Sequence, residues 1–317
     1  MADFNFDTEE NIDIETSTEY SEEFNKEREN FDSEEILPTQ KNEQTGIDYS
    51  DPNDVMVTIS DLKTPLVILF GPPSCGKTMT LIRLSRYLKK EGYNIEPIRD
   101  FRPSNDKYFK EFCDAFPQMI NSDDKPRATP NMAFMLVKVS RNGGDPICQI
   151  LEAPGELYFD PTNTTREYPL YLDIINNSSN KKIFVFLLEP NWLDKPIRDA
   201  YVDRIEAYKE NIDSNDRVIF LGNKVDTVKS FIKSKGVVNI DNFRDFLSAK
   251  DGNGGQYPRV FSLFKEKRPI ISWFKPYDCE FVPFSTGTFK ENGKFVNSND
   301  NYPKMFWDKI CKYIGRR

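Results

Sequence analysis

Residues 71–78 read Gly71-Pro72-Pro73-Ser74-Cys75-Gly76-Lys77-Thr78, a full match to the pattern G-x-x-x-x-G-K-[ST]. The stretch before it, Thr64-Pro-Leu-Val-Ile-Leu-Phe70, is a short apolar run that predicts a buried parallel strand over 65–70. The stretch after it, Met79 to Lys90, places Leu81, Leu84 and Leu88 at helical spacing and predicts a helix over 79–90. Strand, glycine loop and helix aim backbone N–H groups and a helix N-terminus at one point, which suits a phosphate chain. The candidate phosphate ligands are Gly71, Ser74, Cys75, Gly76, Lys77, Thr78 and Met79. Lys77 would reach the outer phosphates as a point charge, and the Thr78 hydroxyl would ligate Mg²⁺. A nucleoside triphosphate is the expected ligand.

The base is read further along, in Arg217-Val-Ile-Phe-Leu-Gly-Asn-Lys-Val-Asp226. An apolar strand, 218–221, delivers Asn223, Lys224 and Asp226 at its C-terminal end, where open α/β sheets bind ligands. A carboxylate at Asp226 can accept from both the N1–H and the N2 amino group of guanine. Adenine presents no such donor pair and would leave the acid unpaired. An ATP-binding reading is the lesser alternative. Between the two segments, Pro146-Ile-Cys-Gln-Ile-Leu-Glu-Ala-Pro-Gly-Glu156 runs a strand, 147–151, into Glu152-Ala-Pro-Gly155. Downstream, Asp278-Cys-Glu-Phe-Val-Pro-Phe-Ser-Thr-Gly287 is a strand that ends in Ser285 and Thr286.

Taken in order, these segments resemble the motifs of Ras-like, translation-factor-class P-loop GTPases. The resemblance covers residues 60–317. Asn-Lys-Val-Asp resembles the guanine-reading N-K-x-D motif, in which the Lys224 stem would lie on the purine and Asn223 would tie back to the phosphate loop. Glu152 to Gly155 looks like the D-x-x-G element, in which the Gly155 amide bonds the γ-phosphate and the acid supports Mg²⁺ through water. Here the acid is Glu, one methylene longer, which moves the carboxylate by roughly 1.5 Å. Glu156 falls where relatives place a Gln that orients the attacking water. It would either position water or act as a base, or else repel the γ-phosphate and slow hydrolysis. Ser285 and Thr286 stand where family backbone amides touch the guanine oxygen. Thr129 precedes a predicted strand, 133–139, as the Mg²⁺-binding switch threonine does, or else forms an ordinary Thr-Pro turn. Arg127 beside it is a candidate internal arginine finger. The Gly-Pro-Pro-Ser-Cys-Gly-Lys-Thr and Ala-Pro-Gly-Glu runs also look like bacterial double-GTPase families. The resemblance implies GTP/GDP and Mg²⁺ as cofactors. As partners it implies a protein effector or regulator, and for the double families another GTPase.

The expected architecture is an α/β P-loop NTPase fold, a mostly parallel, doubly wound sheet with one antiparallel edge strand and flanking helices. Strands 133–139 and 147–151 are joined by Arg141-Asn-Gly-Gly-Asp145, a hairpin signal. Further strands are expected at 182–188 and 279–284, with helices at 104–120, 197–210, 241–249 and 302–314. Inserts beyond a minimal domain span about 92–128 and 228–276. Aromatics at Tyr108, Phe109 and Phe112 are expected on one face, as core rather than a partner site. Lys and Arg interleaved with aromatics over 259–274 suggest a folded cover over the nucleotide edge, or else a partner, nucleic-acid or anionic-lipid surface.

Bulk composition adds limits. Residues 1–54 hold 18 acidic and three basic side chains, a net of −15, so the chain's −8 leaves +7 on the remainder. The acidic segment 1–55, without apolar period, is expected to be disordered; it either lies over a basic surface as an autoinhibitory or partner-gating cover or is a solvated tail without effect on the domain. No run of 18 apolar residues spans a membrane. With no signal peptide or lipidation motif, a cytoplasmic protein is expected. Five cysteines without C-x-x-C spacing suggest reduced thiols. Cys75, at a helix N-terminus, is either an oxidant-sensing thiolate or plain packing. The absence of histidine excludes His-based triads and argues against a transition-metal site. No known nucleic-acid motif is present, so nucleic acid is not an expected partner.

Overall fold

The structure is a computed structural model that describes residues 56–317 apart from 123–134, 142, 154, 166, 191, 193, 228–242, 245–246, 248–256, 268–271, 273–276, 291–293 and 316–317. For Glu156, Leu157 and Phe289 it describes the backbone alone. The acidic segment, Arg127 and Thr129 lie outside the described residues, as does most of the expected helix 241–249.

Seven strands make one sheet: β1 (Leu66–Phe70), β2 (Tyr93–Pro97), β3 (Met135–Arg141), β4 (Cys148–Glu152), β5 (Lys182–Leu188), β6 (Arg217–Gly222) and β7 (Glu280–Pro283). Their order is β2-β3-β4-β1-β5-β6-β7. Pairings β4–β1, β1–β5, β5–β6 and β6–β7 are parallel, whereas β3 is antiparallel to both neighbours. The sheet is therefore mostly parallel, as expected, with one reversed strand. That strand lies second from the margin, because β2 adds outside it. β2 was not foreseen: it follows the preceding helix after Glu91 and Gly92, carries Glu96 and Pro97, and alternates only half-buried with exposed positions. Such a strand is tolerated at an edge, where Pro97 need not donate to a further neighbour. A small hairpin, β8 (Gly287–Phe289) with β9 (Phe295–Asn297), follows β7.

Strands β1, β4 and β5 are buried at every position, which is why they read as continuous apolar runs and not as alternating ones. The register across the middle of the sheet is pinned by a row of phenylalanines. Phe70, Phe186, Phe220 and Phe281 are consecutive partners on β1, β5, β6 and β7. Their rings stack at 5.5, 5.8 and 5.4 Å, and Phe261 closes the row against Phe281 at 4.3 Å. Each such pair contributes about 0.5–1.5 kcal/mol beyond its buried area. A slip of one residue would turn the row to the other face, so the row also aligns the strand ends that carry the site.

The helices are α1 (Lys77–Lys90), α2 (Lys107–Asn121), α3 (Gly155–Tyr158), α4 (Leu170–Asn177), α5 (Lys195–Tyr208), α6 (Pro258–Leu263) and α7 (Asn301–Ile314). α1 packs beside α2 and α7, and α5 beside α6. Local chemistry sets their ends. Asp106 caps α2 through Phe109 N at 2.9 Å and pairs with Arg102 at 2.5 Å, both side chains buried. Asp194 caps α5 through Ile197 N at 3.1 Å. In α2 the inward positions are Phe109, Cys113, Phe116 and Ile120. Tyr108, expected beside Phe109, is half-exposed instead, because adjacent helical residues diverge by about 100°. Among the described residues no helix is long and apolar enough to cross a membrane.

Candidate nucleotide site

Five parallel strands deliver residues to one end of the sheet: 71–76 after β1, Ala153 and Gly155 after β4, Glu189 after β5, 223–226 after β6 and 284–286 after β7. This is the end at which open α/β sheets hold ligands.

The phosphate loop turns through two left-handed residues, Ser74 (φ 59°) and Gly76 (φ 90°), before α1 begins. Gly76 admits no side chain. A β-carbon there would lie 2.5 Å from Asn223 Nδ2 on a backbone already at positive φ. Lys77 is 6% exposed, and its ammonium donates to the carbonyls of Gly71 at 3.0 Å and Pro72 at 2.8 Å. The hydroxyl of Thr78 donates to Glu152 Oε1 at 3.0 Å, across 74 residues of sequence. Glu152 is itself buried at the end of β4. The longer glutamate therefore touches the Thr78 hydroxyl directly. Met79 is half-buried in the first turn of α1.

Gly155 opens α3 and lies hard against the phosphate loop. A β-carbon there would meet Pro73 N at 2.3 Å and the Pro72 carbonyl carbon at 2.4 Å. Only glycine permits this approach. The Glu156 side chain lies outside the described residues, so the structure gives its place in the α3 backbone and no contact.

Cys75 is fully buried, and burial pushes its thiol up to about 11 despite the nearby Lys77 charge. The oxidant-sensing thiolate considered from sequence is thereby corrected. The expected gain from a helix N-terminus is outweighed by the cost of a thiolate without water. Cys75 acts by packing and through its carbonyl.

That carbonyl accepts from Asn223 Nδ2 at 2.8 Å. Asn223 is buried, and its amide bonds Leu188 O at 2.8 Å. Lys224 follows in the left-handed region (φ 56°), with its ammonium 3.3 Å from Ser74 O and 3.1 Å from Glu189 Oε1. Asp226 stands on a 3₁₀ turn, Val225–Thr227, half-buried. Its carboxylate has no hydrogen bond or ion pair among the described residues. The turn is fixed by Val225 N on Phe284 O at 3.2 Å and by Thr227 Oγ1 on Lys224 O at 2.7 Å. Beside it, the Ser285 carbonyl accepts from Ser298 Oγ. Ser298 in turn receives buried Arg83 of α1, Nε to Oγ at 3.3 Å and Nη2 to the carbonyl at 2.8 Å. Thr286 O accepts from Ser298 N at 3.2 Å. The loop after β7 is thus braced from the helix that follows the phosphate loop.

The structure brings Gly71, Ser74–Met79, Glu152, Gly155, Asn223, Lys224, Asp226, Ser285 and Thr286 to one end of the sheet. One contributor went unnoticed in the sequence, Glu189. Its signal was available: it is the first charged residue after a buried parallel strand on the ligand-facing side. No group of three or more acidic or cysteine side chains able to hold a metal occurs among the described residues.

No protein-family model matches the sequence, and no curated protein matches it. Among solved structures the chain is similar to one designated nucleolar GTP-binding protein 1 from Plasmodium falciparum. The two are 12% identical over 82% of this chain and 90% of that one, with a TM-score of 0.40. It is also similar to the signal recognition particle receptor SRb-GTP/SRX complex from Chaetomium thermophilum, at 14% identity, 78% and 98% coverage and a TM-score of 0.39. A third is Roco2 RocCORdC of Methanosarcina barkeri bound to GDP, at 11% identity and a TM-score of 0.29. There the match takes in 81% of this chain and about half, 52%, of the other. Likeness at this level assigns no activity.

Proposed function

We propose that the chain binds GTP with Mg²⁺ and hydrolyses it slowly to GDP, acting as a switch for a protein partner. One observation carries the reading: Asn223 Nδ2 on the Cys75 carbonyl at 2.8 Å. It joins the base-reading loop to the phosphate loop, so that one nucleotide would span both. The carboxylate of Asp226 beyond that joint, unengaged among the described residues, favours guanine, whose edge offers two donors.

Thr78 Oγ1 and Glu152 Oε1, 3.0 Å apart, are two hard oxygen atoms at the mouth of the phosphate loop. Mg²⁺ takes one or two protein oxygens together with phosphates and water, so this pair fits it. Thr78 would hold the ion, Glu152 would support it, and Thr129 is the further candidate from sequence. When bound, Mg²⁺ would neutralise charge on the phosphate chain. The loop amides would bind and orient the phosphates. Lys77 would exchange the Gly71 and Pro72 carbonyls for phosphate oxygens. The Gly155 amide would meet the terminal phosphate, and Glu156 would position water.

A second reading, a GTP-sensing module with negligible hydrolysis, is favoured by a separate observation. Glu152 is bonded straight to Thr78, and Gly155 is packed on Pro72–Pro73, so the acid engages the threonine directly where the resembled motif places it behind a water. The five free cysteines suit a reducing compartment, in keeping with a cytoplasmic setting.

Phosphate release by the purified chain over hours, beside Lys77→Ala, tests the proposal. Release that the variant loses by at least tenfold supports the enzyme. Bound guanine nucleotide with equal background release in both chains supports the sensor. The absence of any bound nucleotide would sink both.

A further inference from the structure

Glu189 belongs to none of the segments that mark the site, yet it stands at the join between them. It is the first residue beyond β5, with the phosphate loop on one side and the base loop on the other. Its Oε1 takes the Lys224 ammonium at 3.1 Å, while the same ammonium reaches Ser74 O at 3.3 Å. Lys224 holds a left-handed backbone, which is strained for a non-glycine residue and persists where the surroundings fix it. The Glu189 backbone is also held. Its carbonyl accepts the Tyr257 hydroxyl at 2.8 Å. Tyr257 is fully buried, its amide bonds Leu247 O at 3.0 Å, and the Arg198 guanidinium lies over its ring at 5.9 Å. Phe243 packs on the backbone of Gly222, the last residue of β6 before Asn223. Tyr257, Leu247 and Phe243 all come from the 228–276 stretch.

An isolated, partly exposed ion pair contributes little. Here the pair shares its ammonium with the phosphate loop, so its geometry sets where the Lys224 stem lies. We propose that Glu189 is the positioning residue of the base pocket and that Tyr257, through its hydroxyl on the Glu189 carbonyl, helps set how long a guanine nucleotide stays bound. This rests on the guanine-nucleotide reading above. The carboxylate draws the ammonium along the loop edge and leaves the aliphatic stem to cover the purine face. Tyr257 keeps the carboxylate at that height.

The test is release of a fluorescent GDP analogue from the full chain in Mg²⁺, followed after mixing with excess GDP. Glu189→Gln keeps the shape and removes the charge, and should speed release about tenfold. Tyr257→Phe, which removes one hydroxyl, should speed it about threefold. The preference for guanine over xanthine should not change in either. Raising salt from about 0.05 to 0.5 M should speed release from the unaltered chain and leave Glu189→Gln flat, since the pair is screened. In a Lys224→Gln background the Glu189 substitution should add nothing. Glu189→Asp, which keeps the charge, should recover part of the slow release, and that separates positioning from misfolding. Release from Glu189→Gln within twofold of the unaltered chain would overturn the proposal. So would an equal acceleration in the Lys224→Gln background. A chain that holds GDP but ignores Glu189 removes this inference alone, whereas a chain that holds no guanine nucleotide removes the nucleotide reading with it.

Discussion

Asp226 stands half-buried on a turn fixed by Val225 and Thr227, with its carboxylate unengaged among the described residues. An acceptor held in place without a local partner is suited to a ligand that supplies two donors. Asp226→Asn keeps the size and replaces one acceptor with a donor. The expected loss is about 2–4 kcal/mol of GTP binding, with a gain for a xanthine nucleotide, whose C2 oxygen accepts. Competition between GTP and XTP against a labelled analogue reads it directly. Unchanged GTP affinity would remove Asp226 from the site. Residue chemistry of this kind is local and was legible in Asn223-Lys-Val-Asp226. The direct Thr78–Glu152 bond was not, because sequence gives the extra methylene of Glu152 but not the direction it points.

At the scale of elements, the feature with the clearest consequence is the tie between α1 and the start of α7. Buried Arg83 reaches Asp300 at 2.6 Å from one side, and exposed Lys90 reaches it at 2.5 Å from the other. Lys90 first, then Arg83, hold the Asp300 carboxyl below its ordinary 3.8. A carboxylate depressed in the folded state stabilises it above the unfolded pKa, and that contribution is lost as pH falls through the ordinary value towards the depressed one. The melting temperature of the unaltered chain should therefore fall more steeply between pH 5 and 3 than that of Asp300→Asn. Glu280 is also held low: burial raises it, but hydrogen bonds from Lys309 and Lys312 outweigh that. Present in both chains, it cancels in the comparison. Parallel melting curves across that range would show that the Asp300 charge has no such role. Element boundaries were mostly legible, since β5 was read as 182–188 and found there. The edge strand β2 was not, because its alternation runs over only five residues, none fully buried, and ends in a proline.

For the whole molecule, a ligand that binds only the folded chain raises its stability by mass action. GTP with Mg²⁺ at about a hundred times its dissociation constant should add about 2.7 kcal/mol. For a domain of this size that is a rise of about 5–10 °C in melting temperature. Calorimetry with GTP, ATP and buffer checks it, and an equal rise with ATP would overturn the guanine reading. What the sequence determined alone was the strand–loop–helix at 71–78, the order of the segments that follow it, and the split of charge between −15 and +7. These depend on residue type and spacing within a few positions. The tertiary structure decided the rest. Asn223 meets Cys75 across 148 residues because the phenylalanine row holds β1, β5 and β6 in register. Glu189 joins the pocket because β5 lies between β1 and β6. Cys75 lost its reactive reading because burial, a property of the packed whole, raises the cost of its charge. Contacts between distant segments follow from how strands align and what covers them, and neither is written at any single position of the chain.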